Sequence, residues 1–321
     1  MATLHQHHTD DVDDQAAALA GWDQRYEQLG CGRFEGAVWQ LVMRDGVLLR
    51  EQTNRRLREQ VKPPVGHVVM AIPLAVEGGS MFAGQPLGRE SLMMISGNEE
   101  SDVVSAGDLD LVGLSVHRSL IEGLLSASDI DWLDRALRRR NLVLAPPAAS
   151  AIRHMLLAVC SDAETQLDRL AYPLRENRLL ASTVTQTLLL AMRGEGDAAA
   201  SSVPRRADTR LRVVRRAVDF MRGNLQHDIC IPEVCAAAYA SRRTLQYCFE
   251  EFMHTTPQAF LRALRLNEAR RQLKQHGAHQ AITDLAGAMG FSSASHFTRH
   301  YKLMFDELPS QTGRLNGDGT L

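Results

Sequence analysis

The spacing of apolar residues divides the chain into a strand-like part and a helical part. Between Gly36 and about Val116, short apolar or alternating runs recur: AVWQLVM (37–43), VLLREQT (47–53), HVVMAIP (67–73), SLMMISG (91–97) and LVGLSVH (111–117). Gly, Pro, Asn and Asp separate them. Asp45-Gly46, between the first two, accepts the positive φ that a tight hairpin turn requires. The pattern predicts a small antiparallel barrel or sandwich. Ahead of it, Ala17, Leu19, Trp22, Tyr26 and Leu29 predict a helix over 11–29, and the polar, His-rich residues 1–10 read as a disordered terminus. Past His117 the period turns helical and predicts helices over 118–126, 130–140, 147–163 and 171–193. The segment GEGDAAASSVPRR (194–206) reads as a linker, and from Asp208 onward the pattern is one of short helices.

Within that last part the sequence matches itself at an offset of 52. Ser241, Leu245, Phe249, Met253 and Pro257 correspond to Ser293, Phe297, Tyr301, Phe305 and Pro309. The apolar residues fall at i, i+4 and i+8, one stripe along a helix. Each stripe follows a Ser suited to an N-cap and precedes a Pro suited to the first turn of a next helix. A shorter helical stretch lies ahead of each copy, IPEVCAAAY (231–239) and ITDLAGAMG (282–290), with small residues that permit close helix approach. Short helix, tight turn and capped second helix is the helix-turn-helix plan, which also occurs in plain helical bundles. In the DNA-binding form the second helix enters the major groove.

With the apolar stripes inward, Arg242, Arg243, Gln246 and Tyr247 face out from the first copy, and Ala294, Ser295, Thr298 and Arg299 from the second. Arg pairs bidentately with guanine and Gln with adenine, while Ala touches a thymine methyl and Ser or Thr is a tolerant partner. A solvated face is the alternative reading for each. The joining segment 257–275 adds Arg262, Arg265, Arg270, Arg271 and Lys274. Charge follows the same division. From Val203 to the end there are 17 Lys/Arg against 11 Asp/Glu, leaving 19 against 27 for the rest, although the net charge is only −2. A basic half beside an acidic half fits a single polyanion-seeking end.

These residues resemble the AraC/XylS family of transcription regulators. The resemblance runs from about Leu211 to Arg314 and rests on SRRTLQYCFEEF (241–252), TP with RLNEARRQL (256–273), and GFSSASHFTRHYKLMF (290–305) followed by Pro309-Ser310. It implies a seven-helix DNA-binding domain, binding to promoter DNA as monomer or homodimer, and activation through contact with RNA polymerase. Asp306 stands where the family often has Gly, and Gln311, Thr312 and Gly313 stand where an aromatic usually follows Pro-Ser. The segment GWDQRYEQLGCGRFEG (21–36) resembles the subgroup of the ethanolamine-utilisation regulator. That implies a cupin-like sensing and dimerising domain, and in that branch an amine-type effector with or without a cobalamin partner, neither of which any residue demands.

The expected fold is therefore α+β: a cupin-like antiparallel β-barrel over 34–117 with helices over 118–193, then an all-α domain with two helix-turn-helix units. The expected boundaries are 1–195 for sensing and dimerisation, 196–207 for the linker, 208–316 for DNA binding and 317–321 for a tail. Trp39, Met43, His67, Met70 and Met93 are candidates to line a cavity for a small-molecule effector, or to be plain core. His67 is the sole histidine between Phe34 and Val116, which excludes a metal-dependent cupin enzyme. P-loop, dinucleotide-binding, GxSxG and HExxH patterns are missing, so no catalytic residue and no cofactor is expected. The five cysteines lack metal-ligand spacing, which disfavours the alternative of a zinc-dependent DNA-repair methyltransferase with a similar helix-turn-helix pair. With no membrane-spanning run and no leader-like segment, a cytoplasmic location is expected.

Overall fold

The structure is a computed structural model and describes residues 2–176, 178–194, 205–276 and 281–312. The chain forms two compact units. Unit 1 takes residues 1–26, 35–54 and 59–202, and unit 2 takes 27–34, 55–58 and 203–321.

Unit 1 is built on antiparallel strands. A seven-stranded sheet has the order β1-β3-β4-β11-β6-β9-β12, from β1 (Thr3–Thr9), β3 (Gly36–Met43), β4 (Gly46–Thr53), β6 (His67–Val76), β9 (Ser91–Ser96), β11 (Leu109–His117) and β12 (Asn141–Val143). A second sheet has the order β2-β5-β10-β7-β8, from β2 (Asp23–Gln28), β5 (Leu57–Lys62), β7 (Met81–Phe82), β8 (Gln85–Pro86) and β10 (Ser101–Val104). The five runs read from the sequence are β3, β4, β6, β9 and β11. The barrel is not closed: β1 and β12 are edges of the larger sheet.

Two N-terminal expectations are corrected. Residues 3–9 form a strand, paired with β3 from Thr3↔Val42 to Thr9↔Gly36. The helix expected over 11–29 shrinks to α1 (Val12–Ala17), and β2 follows. Gly21 at φ +81 breaks the helical run, and Tyr26 is drawn into the sheet by its hydroxyl, which donates to Glu51 Oε1 at 2.8 Å.

One face of the larger sheet carries Trp39, Leu41, Met43, Leu48, Met70, Ile72, Val112 and Leu114 into a single core with helices. Those helices are α2 (Arg118–Glu122), α3 (Ala127–Arg139), α4 (Pro146–Arg175) and α5 (Arg178–Gly194). Leu133, Ile152, Leu156, Leu180, Val184 and Leu188 supply their side of it. Such burial contributes about 1.5–3 kcal/mol per large apolar side chain, so this layer dominates the stability of unit 1. α4 runs further than the sequence suggests and is interrupted at Gln166, where φ is −140° and ψ 34°. The alternate residues Val38 and Leu49 point to the opposite face and cluster with Leu19.

Unit 2 is helical: α6 (Arg205–Gly223), α7 (Ile231–Ala238), α8 (Arg242–Met253), α9 (Pro257–His276), α10 (Ile282–Ala288), α11 (Ala294–Phe305) and α12 (Pro309–Thr312). Residues 196–204 of the expected linker and the expected tail lie outside the described residues. Residues 205–207 begin α6 instead of ending a linker.

Candidate nucleic-acid interface

α8 and α11 are built the same way. Ser241 accepts from the Thr244 backbone N–H at 3.1 Å, and Ser293 from that of His296 at 3.2 Å, which satisfies one exposed donor at each helix start. Leu245, Phe249 and Met253 are buried along α8, as are Phe297, Tyr301 and Phe305 along α11. Each helix ends on a left-handed residue, His254 at φ +49 and Asp306 at φ +58, again 52 positions apart. Asp306 therefore adopts the conformation that glycine adopts more cheaply, and its N–H bonds to Lys302 O at 2.9 Å. No aromatic is needed at the end of the chain's last described helix. The buried Thr312 takes a bond from the Tyr301 hydroxyl at 2.7 Å and gives one to Glu307 at 2.7 Å. Burial pushes the Tyr301 phenol well above its ordinary range, so it stays protonated as that donor.

The sequence-selected residues of each helix share one outward face. Arg242, Arg243 and Tyr247 are exposed and Gln246 half-buried on α8; Ser295 and Arg299 are exposed and Ala294 and Thr298 half-buried on α11. Two of them are already engaged. Gln246 Nε2 donates to Glu250 Oε1 at 2.6 Å. The Tyr247 hydroxyl accepts from Arg210 Nη1 at 3.0 Å, while the Arg210 guanidinium lies 5.4 Å from the Tyr247 ring centroid and pairs with Glu251 at 3.0 Å. Tyr247 is thus held from α6. The sequence reading passed over Glu250, Lys302 and Arg210. The first two occupy equivalent positions of the repeat with opposite charge, a difference legible from the offset alone.

α9 connects the two helix-turn-helix units, and Arg265 on it binds parts of both. Its side chain is buried, and Nη2 donates to the His227 carbonyl just ahead of α7 at 2.8 Å. The same guanidinium packs on Gly290, the turn residue between α10 and α11, where a Cβ would sit 2.6 Å from Nη1. Beside that turn, His296 and His300 approach to 2.9 Å between Nε2 atoms. Burial, with help from Arg262, His296 and Arg299, lowers the His300 pKa. His300 is therefore largely uncharged at neutral pH.

Unit 2 is completed by an early stretch of chain. Gln28 Nε2 donates to the Gly30, Gly32 and Met304 carbonyls at 2.7–2.9 Å, and Gly32 N–H donates to Met304 O at 3.0 Å. The Glu27 carboxylate, fully buried, lies 3.4 Å from Arg222 Nη2 and 3.4 Å from Arg271 Nη1. Arg271 is one of the five cations that the sequence places on the joining segment 257–275. With Arg265, and with Arg270 bonded to Glu307 at 3.0 Å, it is structural.

Of the effector-lining candidates in unit 1, Trp39, Met43 and Met70 sit in the helix-packed core and not in a barrel interior. His67 Nδ1 lies 3.1 Å from Ser115 Oγ, and its ring meets His117 edge-on at 5.6 Å; burial lowers its pKa. Met93 is buried core. The cysteines are not gathered: Cys160 and Cys248 are buried, Cys31 and Cys230 exposed. Among the described residues there is no group of three His, Cys, Asp or Glu able to hold a metal, which leaves the zinc-dependent repair reading without support. Among the same residues no helix is long and apolar enough to cross a membrane.

Residues 234–314 match the family described as "Helix-turn-helix domain". Over 100 residues the chain is 34% identical to the XylDLEGF operon transcriptional activator of Pseudomonas putida, a match covering 31% of each protein. Those relatives and this duplicated, Ser-capped helix pair decide the assignment. The segment is an AraC/XylS-type helix-turn-helix domain. A second relative, the HTH-type transcriptional regulator GbdR of Pseudomonas aeruginosa, is 33% identical over 92 residues, covering 29% of this chain and 24% of its own. The chain thus spans less than a third of the length of the curated relatives it matches. A solved structure of a transcriptional regulator with an AraC-type DNA-binding domain from Chromobacterium violaceum is 27% identical. It has a TM-score of 0.32 and covers 36% of this chain and 99% of that one. The family match, confined to residues 234–314, leaves unit 1 outside it.

Proposed function

We propose that the chain is a sequence-specific DNA-binding transcription regulator, an effector-responsive activator that seats α8 and α11 in two successive major-groove segments. The observation that carries this reading is the duplication: two capped helices with equivalent buried stripes present Arg243, Gln246 and Tyr247 on one and Ser295, Thr298 and Arg299 on the other. Arg243 reads guanine, Gln246 reads adenine on exchanging Glu250 for a base edge, and Arg299 takes guanine or a phosphate. Ala294 meets a thymine methyl, Ser295 and Thr298 add tolerant bonds, and Arg242 and Tyr247 fix the helix on the backbone.

In this reading residues 208–316 are the DNA-binding domain, 1–195 the effector-sensing and dimerising domain, and the linker between them ends where α6 begins, at Arg205. RNA polymerase is the activation partner, the cytoplasm is the site of action, and no catalytic step is involved. The segment 21–36 supports placing the sensing half with the ethanolamine-utilisation regulators.

Selection of duplexes from a random pool with the full chain tests the proposal. The expected product is a bipartite motif whose halves are centred about 10 bp apart, one helical turn. Affinity for it should fall steeply with salt as phosphate neutralisation releases counterions. Failure to enrich any sequence, with flat retention of the pool, would end the reading.

A further inference from the structure

The two capped helices differ in one respect that the duplication makes visible. His296 and His300 stand four positions apart on α11, and their Nε2 atoms lie 2.9 Å from each other. The ring centroids are 4.5 Å apart and the ring planes nearly perpendicular, at 88°. The two rings therefore converge on their Nε2 atoms. The offset of 52 puts Thr244 and Cys248 at the equivalent positions of α8. α8 keeps the same cap and the same buried stripe without them, so the scaffold itself does not call for an imidazole pair.

Neither ring is fully committed to the core. His296 is exposed and His300 half-buried. Phe291 flanks both, its ring centroid 6.1 Å from that of His296 and 6.5 Å from that of His300. His296 also lines a cavity of about 490 Å³ with Gln258, Arg262 and Ser292, which leaves room beside the pair for further ligands. Burial first, then Arg262, His296 and Arg299, favours the neutral His300 imidazole, the form that coordinates a metal. The same guanidinium groups oppose an incoming cation, so its open positions are best filled by water or by anionic oxygens.

The separation of the nitrogens selects among metals. Two metal–nitrogen bonds of about 2.0–2.1 Å that enclose about 90°, the cis angle of a square-planar or octahedral ion, hold their nitrogens about 2.9 Å apart. The roughly 109° of a tetrahedral zinc ion needs about 3.3–3.4 Å instead. A single proton shared between the rings gives the same 2.9 Å, and it is this proton that a metal displaces.

We propose that His296 and His300 form a two-imidazole chelate for a divalent ion that prefers 90° angles, nickel(II) or copper(II), with solvent or anionic oxygens completing its shell. Chelation at i and i+4 requires the helical turn between the two residues, so occupancy fastens the stretch 296–300 of α11. That stretch includes Thr298 and Arg299, so in the regulatory reading the metal acts on one of the two DNA-reading helices and not on the other. This consequence rests on that reading; the site does not.

The test uses the full chain and Ni²⁺, which unlike Cu²⁺ does not oxidise thiols. Calorimetric titration should show saturable binding that His296→Gln and His300→Gln each weaken by roughly 100-fold, no less than the loss of a group that merely supports a metal ligand. His5→Gln combined with His7→Gln, at exposed positions of β1, should leave that binding in place. Ni²⁺ should raise the unfolding midpoint of the parent chain and not that of either α11 variant, because the chelate exists only in the folded helix. In the unaltered chain Ni²⁺ should protect His296 and His300 from carbethoxylation, read by peptide mass. The proposal is overturned by the absence of saturable binding, by binding that neither α11 substitution weakens, by unprotected imidazoles, or by preference for Zn²⁺ over Ni²⁺. No DNA enters the titration, so a failed duplex selection leaves its result standing, and a failed titration leaves the regulatory reading standing.

Discussion

Gln28 and Asn267, separated by 239 positions, make a reciprocal pair of bonds. The Gln28 backbone N–H donates to Asn267 Oδ1 at 3.0 Å, and Asn267 Nδ2 donates to the Gln28 carbonyl at 2.9 Å. A buried side-chain amide here does what a neighbouring strand would do, satisfying both backbone groups of one residue. Asn267→Ala orphans the two groups together and should cost about 1–3 kcal/mol. Chemical denaturation of the full chain measures this, and an unchanged midpoint would show that water replaces the amide. Asn267→Asp keeps an acceptor but sets a buried carboxylate against the Gln28 and Ala263 carbonyl oxygens, and should cost at least as much as alanine at neutral pH.

Gly290 and Gly287 are three residues apart at the second helix-turn-helix and should respond oppositely to alanine. Gly290 has φ +69, and an added Cβ would press on the Arg265 guanidinium. Strain of that kind costs about 1–3 kcal/mol, and displacement of Arg265 also loosens the loop at His227. Nothing lies within 4 Å of a Cβ at Gly287, inside α10, so alanine there should stabilise by about 0.4–1 kcal/mol. Thermal unfolding of the two variants side by side decides; equal shifts of the same sign would contradict the geometry.

Arg243→Ala should cost about 1–3 kcal/mol at one base position and relax preference there. Competition binding against operators varied one position at a time gives the answer. A uniform loss on every sequence would reassign Arg243 to a phosphate.

Glu51 and Glu59 are both buried in unit 1. Burial raises both carboxyls above their ordinary range, and the Glu51 charge raises Glu59 further. Raised folded-state values mean that the folded chain holds protons the unfolded chain releases. The associated stability is full below the unfolded value, about 4.3, and is lost as pH rises through the folded values. Unfolding midpoints should therefore fall from mildly acidic toward alkaline pH. Glu59→Gln should flatten much of that slope. A slope equally steep in the variant would locate the titration elsewhere.

What the sequence disclosed depended on periodicity. α8 and α11 were readable to their caps because Ser241, Leu245, Phe249 and their counterparts combine a period of four with a duplication. The strands β3, β4, β6, β9 and β11 were readable because apolar residues dominate them. β5 was not, since LREQVK carries Arg58 and Glu59, charged residues that are nonetheless buried. β1 was missed because TLHQHHT has polar residues at nearly every position; its stability comes from pairing with β3, which no local pattern encodes. Position on a helix face predicts Arg243 and Gln246 outward, and in the structure Arg243 is exposed and Gln246 half-buried. It was silent on Arg210 reaching Tyr247 and on Glu27 claiming Arg222 and Arg271, because those partners are distant in sequence.

The interleaving of early and late segments in unit 2 limits how this protein can be rearranged. A graft of residues 203–321 onto a foreign sensor would leave Asn267, Arg222 and Arg271 without the Gln28 backbone and the Glu27 carboxylate they bind here. Chimeras that swap specificity need to carry residues 27–34 and 55–58 with the transplanted half. During synthesis, those residues leave the ribosome long before the helices that will hold them.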